Sequence, residues 1–174
     1  MGKKRKWSLI SAGFAAGLAL FAIFWNSLLD AAPLRTDDGR VYYTPQAQRA
    51  LFRDYTADFD ALRDAAAGCE TGFLVFGQEP EWHGLDRTAR PAADYPPEIV
   101  RAVTALWEAH HCSVVAWRPA DGCLEVHFHA TDRSRQRLDD EDGFVWFLQP
   151  PGEEQLRGLQ DMGGGWYWFE WPVR

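Results

Sequence analysis

The chain has 174 residues, of which 47% are hydrophobic and 25% are charged, a composition that excludes global disorder. Four of its 18 basic residues lie in the run Lys3–Lys6, which leaves 14 against 25 acidic residues, a net charge of −11 for the remainder. Because a domain this acidic is repelled by phosphate backbones, nucleic acid is excluded as a partner. No lysine follows Lys6, which is typical of a GC-rich bacterial genome.

An uncharged stretch of 23 residues, Trp7–Leu29, follows the basic run. As an α-helix it spans about 34 Å, enough to cross a hydrocarbon core of about 30 Å. The basic residues before it favour a cytoplasmic N-terminus. The alternative is a cleaved signal peptide, but a cut after Ala32 would be flanked by Asp30 and Pro33, which suit a cleavage site poorly. We therefore predict an uncleaved, single-pass signal-anchor in the lipid bilayer of the cell membrane.

Four segments follow from this prediction. They are a cytoplasmic tail 1–6, a transmembrane helix 7–29, a linker 30–39 and an extracytoplasmic domain 40–174. With the anchor removed, about 140 residues remain, which is enough to bury one sizeable core.

The domain is predicted to begin with a short strand at Gly39–Tyr43. Thr44 and Pro45 then suit the N-cap and first turn of a helix. Apolar residues recur every three or four positions from there to Gly68, which predicts one amphipathic helix. An apolar run over 71–77 predicts a strand. The 17 residues from Gln78 to Asp94 are rich in Pro, Gly and charged residues and predict a loop, long enough for a lid or binding loop.

A second helix is predicted from Pro96-Pro97 to His111. Its inner face would carry Ile99, Val103, Leu106, Trp107 and His110. The rest favours strands at 113–118, 123–130, 143–149 and 166–171, with a hairpin turn at 119–122 and a short helix at 153–160. The predicted fold is α+β: an N-terminal transmembrane helix, then one small domain with a mainly antiparallel sheet and two main helices on one face.

The sharpest candidate site is Glu125-x-His127-x-His129. Alternate residues of a strand share one face, so these three side chains are expected to line up. Two imidazoles and a carboxylate can hold a divalent transition metal such as zinc or iron, and His110, His111 or Cys112 could add a ligand. The competing interpretation is plain outward alternation of polar residues. It predicts no cofactor, and it predicts that His127 and His129 contribute little to stability.

The cysteines and tryptophans carry further expectations. Three cysteines is an odd number, and Cys69 with Cys112 is the preferred disulfide in an oxidising compartment, which leaves Cys123 unpaired. Tryptophans in 144–148 and 166–171 predict central strands with apolar residues on both faces. The alternative is an exposed aromatic platform for a glycan, peptidoglycan or a protein partner.

No catalytic motif accompanies these features. The sequence has no Gly-x-Ser-x-Gly and no phosphate-binding glycine loop. Glu79, Glu81, Asp94 and Glu98 could supply a carboxylate pair, although sequence does not set their separation. The predicted function is a non-catalytic, membrane-anchored extracytoplasmic domain that binds an envelope protein or a cell-envelope polymer. The alternative is a small metal-dependent enzyme built on Glu125, His127 and His129.

Overall fold

The computed structural model describes residues 33–37, 39–77, 79–132 and 137–170. The predicted tail 1–6 and transmembrane helix 7–29 lie outside these residues, as does the start of the predicted linker 30–39. None of the described helices is long and apolar enough to cross a bilayer. The described residues therefore bear on the predicted domain and on the end of the linker before it.

Three α-helices are present among these residues, where two main helices were predicted. They are α1 (Pro45–Asp54), α2 (Thr56–Ala67) and α3 (Pro97–His110). The start of α1 is confirmed, since Thr44 Oγ1 accepts a hydrogen bond from the Ala47 N–H at 3.2 Å.

The single helix predicted from Thr44 to Gly68 is interrupted at Tyr55, which takes non-helical angles of φ −127° and ψ 29°. The Thr56 hydroxyl donates to the Phe52 carbonyl at 2.7 Å, and such local side-chain bonds compete with the helical ladder. The apolar stripe continues across the break because both helices face the same core.

The sheet is mixed but mainly antiparallel, with the strand order β4-β3-β5-β6-β7-β9-β8. A parallel strand, β2, pairs with β6 beyond the end of β5, and β1 pairs with β2 within the predicted linker region. The strands are β1 (Leu34–Arg35), β2 (Val41–Tyr43), β3 (Phe73–Phe76), β4 (Glu81–His83), β5 (Val114–Arg118), β6 (Cys123–Asp132), β7 (Arg137–Phe147), β8 (Gln160–Gly163) and β9 (Trp166–Phe169).

Two segments differ from their predictions. The loop predicted over 78–94 contains β4 and a 3₁₀ turn at Ala92–Asp94, so part of it belongs to the sheet. The helix predicted over 153–160 is absent: turns lead from Gly152 directly into β8, which was not predicted. Gly152 and Gly158 bracket this segment, and Gly158 has a φ of 84°, which no continuing right-handed helix contains.

All three helices pack against one face of the sheet, and the main core lies between the helices and the sheet. The predicted inner face of α3 is confirmed, because all five of its residues are buried. Trp166 and Trp168 of β9 also point into this core, at 0% and 8% exposure, which confirms the buried placement of these tryptophans. No described helix covers the opposite side of the sheet, which we call the open face; its apolar cluster contains Cys123, Val145, Phe147, Leu159, Tyr167 and Phe169.

Candidate functional site: a cleft on the open face

Strand register brings Glu125 and His127 to the middle of the open face. On β6, Glu125 lies between Ala116 of β5 and Val145 of β7, and His127 lies between Val114 and Gly143. These strands and the segment after β7 enclose a concavity of about 450 Å³, the open-face cleft, lined by Leu74, Val114, Ala116, Arg118, Asp121, Cys123, Glu125, His127, Phe147 and Gln155.

Gly143 sets the close spacing of β6 and β7 beside His127. A Cβ atom at this position would overlap the carbonyl oxygen of Val126 and lie 2.9 Å from the Cα atom of His127. Any other residue would therefore push the two strands apart. The glycine keeps the floor of the cleft continuous where His127 lies.

Glu125 is the hub of a charged network on the cleft floor. Its Oε1 atom accepts from Arg118 Nη1 at 2.8 Å, and its Oε2 atom lies 3.3 Å from His127 Nε2. Burial raises the pKa of this carboxyl, but the hydrogen bonds from His127 and Arg118 outweigh burial and lower the pKa to about 2. Glu125 is therefore a fixed carboxylate at neutral pH. It is too weak a base to abstract protons in a catalytic cycle.

Cys112 and Cys123 are not poised as nucleophiles. Burial, with the neighbouring Glu125 charge, raises the pKa of Cys123 to about 12, and its Sγ lies 3.7 Å from Glu125 Oε1. Burial also raises the pKa of Cys112. Since the thiolate is the reactive form, both thiols are inert at neutral pH. The predicted disulfide between Cys69 and Cys112 is not formed, because all three cysteines are buried free thiols.

His127 faces the open side, as strand alternation predicts, but it is largely covered. Its side chain is 12% exposed, and its ring packs edge-on against Phe169 with centroids 5.1 Å apart. The expectation that this histidine is a simple surface residue is therefore wrong. It is part of the packed floor of the cleft.

His129 lies apart from the other two candidate ligands. Its ring lies 5.3 Å from the Tyr42 ring, beside the parallel strand β2. It lines a second cavity, of about 280 Å³, together with Gly39, Arg40, Val41, Gly77, Glu79, Trp107, His111 and Cys112. The predicted metal ligands are therefore split between two cavities. Glu125 and His127 line the open-face cleft, and His129 lines the second cavity.

The remaining predicted ligands have other surroundings. His111 takes a left-handed conformation with φ 52° at the end of α3, and its Nε2 lies 3.3 Å from Arg35 Nη2. Burial lowers the pKa of His111, and Arg35 and His110 lower it further. His110 is buried and contacts Asp58 Oδ2 at 2.8 Å, which ties α3 to α2. Among the described side chains, no group of three or more His, Cys, Asp or Glu is arranged to hold a metal ion.

Arg118, Phe147 and Gln155 are cleft residues that the sequence interpretation missed. A signal for Arg118 was available. The turn at 119–122 places Arg118 opposite Cys123, and therefore diagonally across from Glu125 on the same face. Phe147 was recognised only as part of an apolar strand, and Gln155 only as part of a helix that is absent.

Comparison with known proteins gives no match: no family model, no curated protein and no solved structure is similar to this chain. The open-face cleft has apolar walls, a fixed ion network on its floor and one lining thiol, Cys123, whose pKa is raised by burial, as is the pKa of Cys112 in the second cavity.

Proposed function

We propose that the protein is a membrane-anchored, extracytoplasmic binding domain and that the open-face cleft contacts an envelope protein or a cell-envelope polymer. The cleft itself is the observation that carries the proposal. Its floor is pre-organised by the Arg118–Glu125–His127 network, and pre-organised sites lose little conformational entropy on binding. Its volume of about 450 Å³ falls within the usual range of ligand sites, about 300–1,000 Å³.

The position of the cleft also supports a binding role. The three helices cover the other face and bury the main core there, so among the described residues the open face carries no helix. Half-buried apolar side chains such as Leu74, Val114 and Phe147 remain along the cleft walls. Apolar surface next to fixed polar groups is the usual composition of an interaction site.

The predicted membrane anchor determines where such a domain would act. A helix over 7–29 with the basic run before it would hold the domain at the outer surface of the cell membrane. With 13 basic and 22 acidic residues over 40–174, a domain of net charge −9 would stay soluble there, and it would disfavour polyanionic partners at long range. Its partners would then be envelope components that tolerate or match a negative surface.

The alternative of a metal-dependent enzyme requires Glu125 to exchange partners. Its two oxygens already contact Arg118 and His127, and His129 lies in the second cavity. A metal bound by Glu125 would have to compete with the Arg118 guanidinium and the His127 imidazole for the two carboxylate oxygens. Elemental analysis of the purified full-length protein tests this alternative, since stoichiometric zinc or iron that is lost in His127→Ala would favour the enzyme over the binding domain.

The binding proposal is tested with full-length protein in detergent, sedimented with purified insoluble wall polymer or cross-linked to envelope proteins in intact cells. Phe147→Ala removes a wall of the cleft. Leu148→Ala is the matched control, because Leu148 is the next residue, is 44% exposed and does not line the cleft. We expect Phe147→Ala to lose binding and Leu148→Ala to retain it. Equal binding by both variants, at equal melting temperature, would remove the cleft from the function.

A further inference from the structure

We infer that the open-face cleft takes a glycan, specifically a chain of uncharged or amine-bearing sugars; this rests on the proposed binding function and names its ligand. Four properties of the cleft carry the inference. They are a floor whose backbone hydrogen bonds are already made, polar side chains with fixed planar groups, an aromatic wall and the local charge.

The floor of the cleft offers side chains only. Residues 123–127 of β6 pair with β5 on one side and with β7 on the other, so their main-chain groups are already hydrogen-bonded. An extended peptide gains affinity by adding main-chain bonds to a free sheet edge, and the cleft lies on central strands. A ligand in the cleft must therefore be recognised through side chains.

The polar side chains of the cleft are planar and held in place. Arg118 and His127 are held by their contacts with the Glu125 carboxylate, and Gln155 Oε1 accepts a hydrogen bond from the Gly152 N–H at 2.9 Å. Arg118 is still 39% exposed and has five N–H donors, so it has donors for a ligand beyond its bond to Glu125. Sugar hydroxyls both donate and accept, and they match a set of fixed donors and acceptors such as this one.

Phe147 supplies an apolar surface beside these groups. Its ring packs near Tyr167, with centroids 6.0 Å apart, and it is half-buried, so one side contacts protein and the other lines the cleft. A sugar ring has apolar C–H faces and polar edges. Stacked on Phe147, it would direct hydroxyls toward Arg118 and Glu125.

Charge distinguishes between classes of glycan. Arg118 neutralises Glu125, so Asp121 is the remaining carboxylate among the cleft lining, and the domain as a whole carries a net charge of −9. A polymer rich in carboxylates or phosphates would be repelled. Neutral N-acetylated sugars would not be repelled, and protonated amino groups would be attracted to the negative charge of the domain.

The test uses full-length protein in detergent and isothermal titration with three soluble probes. They are the β-1,4-linked tetramer of N-acetylglucosamine, its deacetylated counterpart, and a tetramer of galacturonic acid. We expect the first two to bind and the third to bind at least tenfold more weakly. Phe147→Ala should weaken binding at least tenfold, and Leu148→Ala should leave it within twofold.

Arg118→Lys is the second variant, because it keeps the positive charge beside Glu125 and loses the planar guanidinium group with its several donors. We expect at least tenfold weaker binding at an unchanged melting temperature. Stronger binding of the galacturonate probe, or identical affinities for wild type, Phe147→Ala and Arg118→Lys, would overturn the glycan assignment.

The two proposals fail in different ways. If wild type sediments with wall polymer but a wall peptide competes and the amino-sugar tetramers do not, the glycan assignment is wrong and the binding function stands. If wild type binds neither wall polymer nor any cross-linked envelope protein, the proposed function itself is wrong.

Discussion

The pair formed by Trp168 and Gln48 gives the sharpest stability prediction. The indole N–H of Trp168 donates to Gln48 Oε1 at 3.0 Å, and Gln48 lies on the buried side of α1 at 0% exposure. Trp168→Phe keeps an aromatic ring in the core but leaves the Gln48 oxygen as a buried acceptor without its donor. An unsatisfied buried group costs about 1–3 kcal/mol, so we expect a loss of about 2–3 kcal/mol once the smaller ring is included.

A double-mutant cycle isolates the hydrogen bond from the change in ring size. Gln48→Met removes the acceptor and leaves the indole N–H unsatisfied, but it also removes the buried Gln48 Nε2 group, which has no hydrogen-bond partner, so this variant should lose less stability than Trp168→Phe. In the double variant neither polar group remains, so its loss should be smaller than the sum of the single losses by at least about 1 kcal/mol. Urea denaturation of a form that begins at Pro33, followed by far-ultraviolet circular dichroism, measures all four proteins.

Additivity of the two substitutions to within about 0.5 kcal/mol would refute this reasoning, because the bond would then contribute nothing to stability. Trp168→Ala should cost more, about 3–5 kcal/mol, since it also opens a cavity in the core. An unchanged melting temperature in that variant, combined with lost polymer binding, would instead support the aromatic platform.

Further outcomes follow from the anchor and from the cleft. The full chain should stay with membranes at high pH, and uncleaved protein in the supernatant would show that residues 7–29 are not an anchor. The folded-state pKa of Glu125 is lowered from 4.5 to about 2, so its contribution is complete above pH 4.5 and is lost as pH falls toward 2. The free energy of unfolding, measured by urea denaturation, should fall by about 2–3 kcal/mol between pH 4.5 and pH 2, and Glu125→Gln should not show this fall. The same pH dependence of unfolding in both proteins would contradict the network. His127→Ala should cost about 1–2 kcal/mol through lost packing on Phe169, and a neutral result would restore the surface interpretation. A chain truncated before Trp166 should not fold, and a cooperative unfolding transition in that chain would contradict the burial of β9.

Local patterns were sufficient wherever one physical signal dominated. The apolar spacing of α3 has a single period from Ile99 to His110, and all five predicted inner residues are buried. The β5–β6 hairpin follows from its turn at 119–122. In each case the residues that set the element lie within the element itself.

Prediction failed where the deciding interaction is not periodic. The apolar stripe passes straight through Tyr55, because Phe52 and Phe59 contact each other across the break, with ring centroids 4.9 Å apart. The interruption is marked by the non-helical angles of Tyr55 and by the Thr56 hydroxyl bond to the Phe52 carbonyl. Likewise β8 is exposed and bulged between Asp161 and Gly163, and it is a strand only because β9 lies beside it.

The candidate site shows the same division between local and tertiary information. Alternation along β6 correctly places Glu125, His127 and His129 on one face, but strand pairing decides what each one contacts. β5 begins at Val114, which pairs with His127, so β2 is the strand beside β6 at His129, and His129 contacts Tyr42 and lines the second cavity. Glu125 meets Arg118 because the hairpin register places them diagonally. A metal bound by Glu125 would have to compete with both Arg118 and His127 for the carboxylate oxygens. The identity of the residue diagonal to Glu125, as much as the histidine spacing, therefore decides how readily this carboxylate could bind a metal.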